Sequence, residues 1–304
     1  MRNAFAETVT RLAGVDEDII LLAGDIGNRL FDQYKEKFPT RFYNCGVAEA
    51  SMTGLASGLA SSGLKPITYT ITPFNTLRCL EQIRVDVCYP DLPVILVGTG
   101  SGMSYASLGV THHSLEDIAI MRVLPNMNVI APADSVEVDL ALEAAIKMGK
   151  PTYIRIGKKG EPKVHLEKPK FEIGKAITLQ KGEKIALIGV GTMVSVAQKC
   201  SKLLESQGHN PSLISLHSIK PLDEDLLERL FLDYQTIVVI EEHGLAGGAG
   251  SAILEWGSEN KMDLRKLNCF GTPDRFLMSA GNQMEARESI GLDAKSIVSK
   301  INSL

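Results

Sequence analysis

Short apolar runs alternate with stretches of helical period along the first half of the chain. The segments DEDIILLAGDIG (16–27), KPITYTIT (65–72), LPVILVGTGSG (92–102), NMNVIAPAD (126–134) and PTYIRIG (151–157) predict strands, several of them running into glycines. Between them, VAEASMTGLASGLASSG (47–63), TLRCLEQIRVDVCY (76–89) and SVEVDLALEAAIKMG (135–149) predict helices. Strands that alternate with helices imply a mostly parallel, doubly wound sheet covered on both faces. Near residue 158 the pattern lapses: KKGEPKVHLEKPKFEIG (158–174) is rich in Lys and Pro and has no sustained apolar period. It then restarts, with strands over KIALIGVG (184–191), PSLISLHSI (211–219) and TIVVIEEHG (236–244). Helices are predicted over MVSVAQKCSKLLESQG (193–208), PLDEDLLERLF (221–231) and GGAGSAILEWGSE (247–259). The expectation is two α/β domains, a doubly wound one over 1–160 and a smaller one over 175–304, joined by a linker over 161–174.

The length of 304 residues agrees with two domains at roughly 150 residues each. Thirty-two Lys+Arg against 36 Asp+Glu give a formal net charge of -4, so no basic excess drives binding to nucleic acid or anionic lipid. No apolar run approaches the roughly 18 residues that span a bilayer. The start, MRNAFAETVT, lacks the charged-then-apolar pattern of a secretory signal. Cys45, Cys79, Cys88, Cys200 and Cys269 are scattered and odd in number, with no CxxC pair, which argues against a disulfide framework and a structural zinc site. These features describe a soluble, reduced, cytoplasmic protein.

Two glycine-rich strand ends invite a dinucleotide interpretation, and neither completes GxGxxG. Val194 stands where Gly189-Val190-Gly191 needs its third glycine, and Met103 breaks the run Gly98, Gly100, Gly102. Tight turns at strand ends explain both. Glu49 is more unusual, because it opens a helix otherwise built of small and apolar residues. Gly54, Ser57 and Gly58 permit close approach of a neighbour, so this helix is expected to be buried. A lone carboxyl there is costly without a partner, favours its neutral form and is ready to share a proton. The alternative is a first-turn glutamate favoured by the helix dipole. His112 and His113 follow a glycine-rich stretch that reads as a mobile or ligand-facing loop. Adjacent histidines point different ways and do not chelate one metal. Arg2, Arg29, Arg155 and Lys158 lie near strand ends; separately they are surface charges, together an anion site.

Three runs, RFYNCGVAEASMTGLASGLASSGLKPI, ITPFNTLRCLEQIRVDVCYPDLPVILVG and GVTHHSLEDIAIMRVLPNMNVIAPAD, resemble the pyrimidine-binding domain of transketolases. KIALIGVGT, IKPLDEDLL and IVVIEEHGLAGGAGSAI resemble the C-terminal domain of the same family. The resemblance extends over essentially the whole chain, but the family's diphosphate-binding domain, with its GDG motif and downstream Asn, has no counterpart here. Gly24-Asp25-Ile26-Gly27 is the nearest string and lacks the third motif residue. The chain thus resembles the smaller, C-terminal subunit of a split transketolase.

The resemblance implies a thiamine diphosphate shared with a partner subunit that holds its Mg²⁺ and diphosphate, with no metal on this chain. It implies a dimer or α₂β₂ heterotetramer and sugar or sugar-phosphate substrates. Glu49 falls on the glutamate that drives the aminopyrimidine tautomer, Phe74 on the aromatic that stacks on that ring, and Asp25 on an aspartate of the cofactor cleft. His112 falls on the histidine that contacts the donor sugar's hydroxyls, and Arg2 and Lys158 on phosphate-gripping positions, the second usually Arg. Three departures put the sugar in question. Leu108 replaces an aspartate, Gly100 a phosphate-contacting histidine, and Arg29 a phosphate-contacting serine, where it could clamp a phosphate or sulfonate differently. The implied activity is two-carbon ketol transfer from a ketose to an aldose. Rival activities are the beta subunit of a 2-oxoacid dehydrogenase, a deoxyxylulose-phosphate synthase-like enzyme, and a nucleotide-binding or non-catalytic assembly protein. His217 and His243 are assigned structural or interface roles.

Overall fold

A computed structural model describes residues 1–27, 29–277 and 281–303. Two sheets carry the fold. The first contains β1 (Ile19–Ala23), β2 (Phe42–Asn44), β3 (Lys65–Ile71), β4 (Ile95–Thr99), β5 (Asn128–Ile130) and β6 (Thr152–Ile156). The second contains β7 (Ile177–Gln180), β8 (Ile185–Gly189), β9 (Ser212–Ser215), β11 (Thr236–Gly244) and β12 (Leu267–Thr272); β10 (Ser218–Lys220), between β9 and β11 in the chain, joins the first sheet. The orders are β10-β5-β6-β4-β3-β1-β2 and β12-β11-β8-β9-β7. All pairings are parallel except β10 with β5 and β7 with β9. The strands β1, β4 and β6 are buried along their whole length, because helices cover both faces of the sheet.

One segment departs from its expected form. PSLISLHSI, read as a single strand, splits at Leu216-His217. Its first part stays in the second sheet, and Ser218–Lys220 crosses to pair antiparallel with Asn128–Ile130. Ala131 N donates to His217 O at 2.7 Å, which seals the crossing. The predicted helix 76–89 is also broken, into a 3-10 turn, a short α turn and a π-helical stretch over Ile83–Cys88. The wide turn brings Ile83, Val87 and Cys88 into the core together.

The helix Glu49–Ser61 is only half as buried as its small residues predicted. Met52, Thr53, Ala56 and Ala60 face the core, whereas a Cβ on Gly54 or Gly58 would meet nothing within 4 Å. Ser57 donates to Asp86 O at 2.8 Å and ties the helix to the π-helical stretch.

Between the sheets, residues 157–176 form neither helix nor strand and lie against the first sheet's last helix, Ser135–Met148. Asp134 caps that helix through Oδ1 and accepts Val164 N and His165 N through Oδ2, at 2.7 and 3.0 Å. His165 Nε2 meets Glu137 Oε1 at 2.7 Å. Burial opposes charge on this imidazole, but the Glu137 carboxylate raises its pKa above the ordinary histidine value. Phe171 stacks on buried His217 at 4.0 Å. Among the described residues no helix is long and apolar enough to cross a membrane.

Candidate functional site

In the first sheet, β1, β3, β4 and β6 run the same way, so the loops after them gather at one edge. Such edges are where open α/β sheets bind ligands. The loop after β1 carries Asp25, which adopts a left-handed backbone with φ 51°. Asn44 holds that conformation by accepting from Asp25 N at 3.2 Å and donating to Asp25 Oδ1 at 3.0 Å. The same Asn44 oxygen accepts Gly46 N at 3.0 Å and so fixes the approach to the next helix.

That helix begins with Glu49, which is 1% exposed. The carboxylate is not alone, as sequence reasoning allowed: Arg78 Nη1 donates to Glu49 Oε2 at 2.7 Å. A Cβ on Gly24 would stand 3.2 Å from Glu49 Cγ and 3.0 Å from Thr70 Oγ1, so glycine keeps the space beside the carboxyl open. Thr70 Oγ1 is itself buried without a hydrogen-bond partner. Arg78 also lays its guanidinium 4.3 Å from the centre of the Phe74 ring. This planar cation thus donates an N–H to a carboxylate and stacks on an aromatic at once. An aminopyrimidine would make the same two contacts.

From Phe74 a row of rings continues. Phe74 meets His112 edge-on at 5.3 Å, His112 meets Tyr105 at 5.9 Å, and Lys158 places its ammonium 4.7 Å from the Tyr105 ring centre. His112 is half-buried, and Thr111 Oγ1 lies 2.9 Å from its Nδ1. Burial, with a smaller contribution from neighbouring His113, lowers the His112 pKa and favours the neutral imidazole. His113 points the other way, buried, with Nε2 3.1 Å from Ala106 O.

The loop that carries Tyr105 and His112 is pinned along its length. Gly102 and Ser114 exchange backbone bonds at 3.1 and 2.9 Å. Met103 and Ala106 pack with Leu277 and Ala286 from the second half of the chain. Buried Glu242, on β11, accepts Met103 N at 2.5 Å and Gln283 Nε2 at 2.8 Å through Oε1, and Arg287 through Oε2. Gly102 admits this carboxylate, since a Cβ there would stand 2.3 Å from Glu242 Oε1.

The basic residues do not form one cluster. Arg2 and Arg29 line the same open cleft of about 590 Å³, together with Glu7 and Asp32. Arg2 Nε is buried and has no hydrogen-bond partner. Lys158 does not line that cleft; its ammonium lies over the Tyr105 ring. Arg155 is withdrawn from any anion site: it is buried, donating to Asp117 Oδ2 at 2.7 Å and to Ser114 O and Glu242 O at 3.0 and 2.9 Å. Asp117 is fully buried, which opposes its charge, but Arg155 holds its carboxyl below the usual range. His243 lies in the same contact between the sheets, accepting Ala119 N at 3.3 Å. Burial lowers its pKa.

Sequence reasoning missed Arg78, Tyr105 and Glu242. Arg78 sits four residues after Phe74 in a stretch read as a plain helix. Tyr105 had one available signal, the glycine at 100 where a larger residue was expected. Glu242 had none, because its partners lie 139 and 41 residues away. Among the described residues, no group of His, Cys, Asp and Glu is arranged to hold a metal ion.

Comparison with known proteins bears on this arrangement. Residues 1–162 match the pyrimidine-binding domain of transketolase and residues 174–297 the transketolase C-terminal domain. An apulose-4-phosphate transketolase subunit from Phocaeicola vulgatus is 33% identical over 299 residues, covering 97% of this chain and 94% of that protein. A 6-deoxy-6-sulfo-D-fructose transketolase subunit from a Clostridium species is 32% identical over 303 residues, covering 98% and 92%. Among solved structures, a split-gene transketolase in an inactive beta4 tetramer superposes with TM-score 0.90 at 31% identity, covering 99% of this chain and 97% of that one.

Proposed function

The chain belongs to the transketolase family, and on that premise we propose that it moves a two-carbon ketol unit from an anionic ketose to an aldose. It is the C-terminal half of a split, thiamine-diphosphate-dependent sugar transferase and works with a partner subunit. The observation that carries the reading is the buried Glu49 carboxylate, joined to Phe74 through Arg78, in a place that Gly24 leaves room for.

Thiamine diphosphate, when bound, supplies a carbon nucleophile and a sink for the electron pair released on C–C cleavage. Glu49 would share a proton with the aminopyrimidine through its buried carboxyl, whose Oε2 accepts from half-exposed Arg78. Phe74 would orient the flat ring by stacking. Asp25, fixed by Asn44, would line the same cleft. Burial favours the neutral form of His112, whose ring nitrogens could then exchange a proton with a sugar hydroxyl. Lys158, and Arg2 with Arg29 in their cleft, would bind the anionic end of a sugar phosphate or sulfonate. Relatives act on both classes: one is named for apulose-4-phosphate and another for 6-deoxy-6-sulfo-D-fructose.

Mg²⁺ and the cofactor's diphosphate are assigned to the partner. Beside Glu49 the exposed side chains of Val47 and Leu55 and the open faces of Gly54 and Gly58 form an apolar surface that a closely packed partner helix would cover. With the partner placed there, the assembly we propose is a twofold α₂β₂ heterotetramer.

Co-expression with a chain carrying a diphosphate-binding domain tests this reading. Ketol transfer and tight thiamine diphosphate binding are expected only from the pair. Transfer by this chain alone overturns the split site. Oxidative decarboxylation of a 2-oxoacid by the pair, without ketol transfer, overturns the reaction.

A further inference from the structure

Tyr105 has no part in the chemistry described so far, yet its ring has a place made for it. A Cβ on Gly100 would stand 1.9 Å from Tyr105 Cε2, so any larger residue at 100 expels the ring. The Gly100 backbone, at φ +77°, also favours glycine. Tyr105 therefore fills the volume that a side chain at 100 would take. The loop that holds it is anchored by Glu242 to Met103 N and by Gln283 to Ser104 Oγ.

From this position the ring meets Lys158 on one side and His112 at its edge. Among the described residues Lys158 forms no ion pair. Its ammonium spends one side on the π face and leaves the other free to donate. A lysine stem has many rotamers, and the ring restricts them, which places the charge before substrate arrives. The row from Phe74 through His112 to Tyr105 thus sets where a cation stands relative to the Glu49 end of the site.

We propose that Tyr105 selects ketoses with an anionic far end by holding the Lys158 ammonium over its ring. It is a positioning residue that acts through Lys158. The inference rests on the assignment of Lys158 to substrate binding made above, and it adds the element that makes this lysine selective.

The test uses the assembled holoenzyme, both chains together, and compares a phosphorylated ketose donor with its unphosphorylated counterpart. Tyr105→Met keeps bulk against Gly100 but removes the π face, and Tyr105→Leu serves if the Met variant is poorly folded. Either is expected to raise KM for the phosphorylated donor about tenfold, with kcat nearly constant and the neutral donor unaffected. Tyr105→Phe keeps the ring and restores the affinity. Lys158→Ala gives the same loss, and the double variant is no worse than Lys158→Ala. Equal losses on both donors, a Phe variant as weak as the Met variant, or additive losses would each overturn the proposal. Inorganic phosphate titrated into the assembly by calorimetry reads Tyr105 without turnover. About tenfold weaker binding by the Met variant is expected; unchanged binding overturns the proposal. A wild-type assembly that transfers no ketol unit defeats the reaction assigned above, and the phosphate titration still decides the role of Tyr105.

Discussion

Arg78 and Glu49 form the ion pair on which the site is centred: Nη1 donates to Oε2 at 2.7 Å, with the guanidinium 44% exposed and the carboxylate buried. A buried carboxylate needs such a partner, and a half-exposed one can leave when another donor arrives. Glu49→Gln keeps the shape of the side chain and a hydrogen bond to Arg78, so assembly should survive. Turnover of the reconstituted pair should fall by about 10²–10⁴-fold, the usual worth of a positioned acid–base group. Steady-state ketol transfer, with sedimentation to check assembly, measures it. Near-normal turnover would remove Glu49 from the mechanism.

His112 gives a pH prediction. Burial and His113 lower its pKa, so the imidazole stays neutral to a lower pH than an ordinary histidine. The acid limb of kcat/KM for the donor should lie below the ordinary histidine range, with activity rising as pH passes upward through it. His112→Gln should erase that limb and cost about 10²-fold. A limb that persists in the variant belongs to another group.

Glu242 links the ring-bearing loop to Gln283 and Arg287, and its removal strands a half-buried cation and the Met103 N–H. Glu242→Ala should destabilise the chain by about 3 kcal/mol, the scale for breaking a buried, bonded pair. Denaturant unfolding measures the stability, and chymotryptic cleavage within the 101–114 loop, after Tyr105 or Leu108, should speed up. An unchanged midpoint would show that the loop is held by its apolar contacts alone.

Glu241 caps the helix Ala249–Glu259 from the neighbouring strand, accepting Ala249 N at 2.8 Å and Gly250 N at 2.9 Å. Burial pushes its carboxyl up to about 7, although those two N–H groups favour the charged form. The folded state therefore keeps a proton that the unfolded chain releases near 4.5. Stability from this group is present below pH 4.5 and declines as pH rises to about 7. The decline amounts to about 3 kcal/mol at most. Melting curves at pH 5 and pH 8 should show a larger drop in wild type than in Glu241→Gln. Parallel drops would refute the assignment.

Much of the first sheet was legible because its strands are buried on both faces and flanked by glycine turns, so the apolar runs at 19–23, 65–71, 95–99 and 152–156 stand out against their surroundings. Glu49 was legible for a related reason: a carboxylate among small and apolar residues breaks a local pattern. The crossing of Ser218–Lys220 was not, because a three-residue strand carries no period of its own and its partner, Asn128–Ile130, lies some ninety residues away. The division of the basic residues was also hidden. Arg155 and Lys158 are three apart in the chain, yet one is buried on Asp117 and the other lies on Tyr105.

The amino-acid order alone determined the alternation of strands and helices, the charge balance and the placing of Glu49 at a helix start, since each depends on neighbours within a few residues. Tertiary structure decided which groups Glu49, His112 and Lys158 meet. Arg78 reaches Glu49, and Tyr105 reaches His112 and Lys158 from a loop that Glu242 pins, through packing and hydrogen bonds that depend on how distant segments are brought together, and the missing Cβ atoms of Gly24, Gly100 and Gly102 give the room.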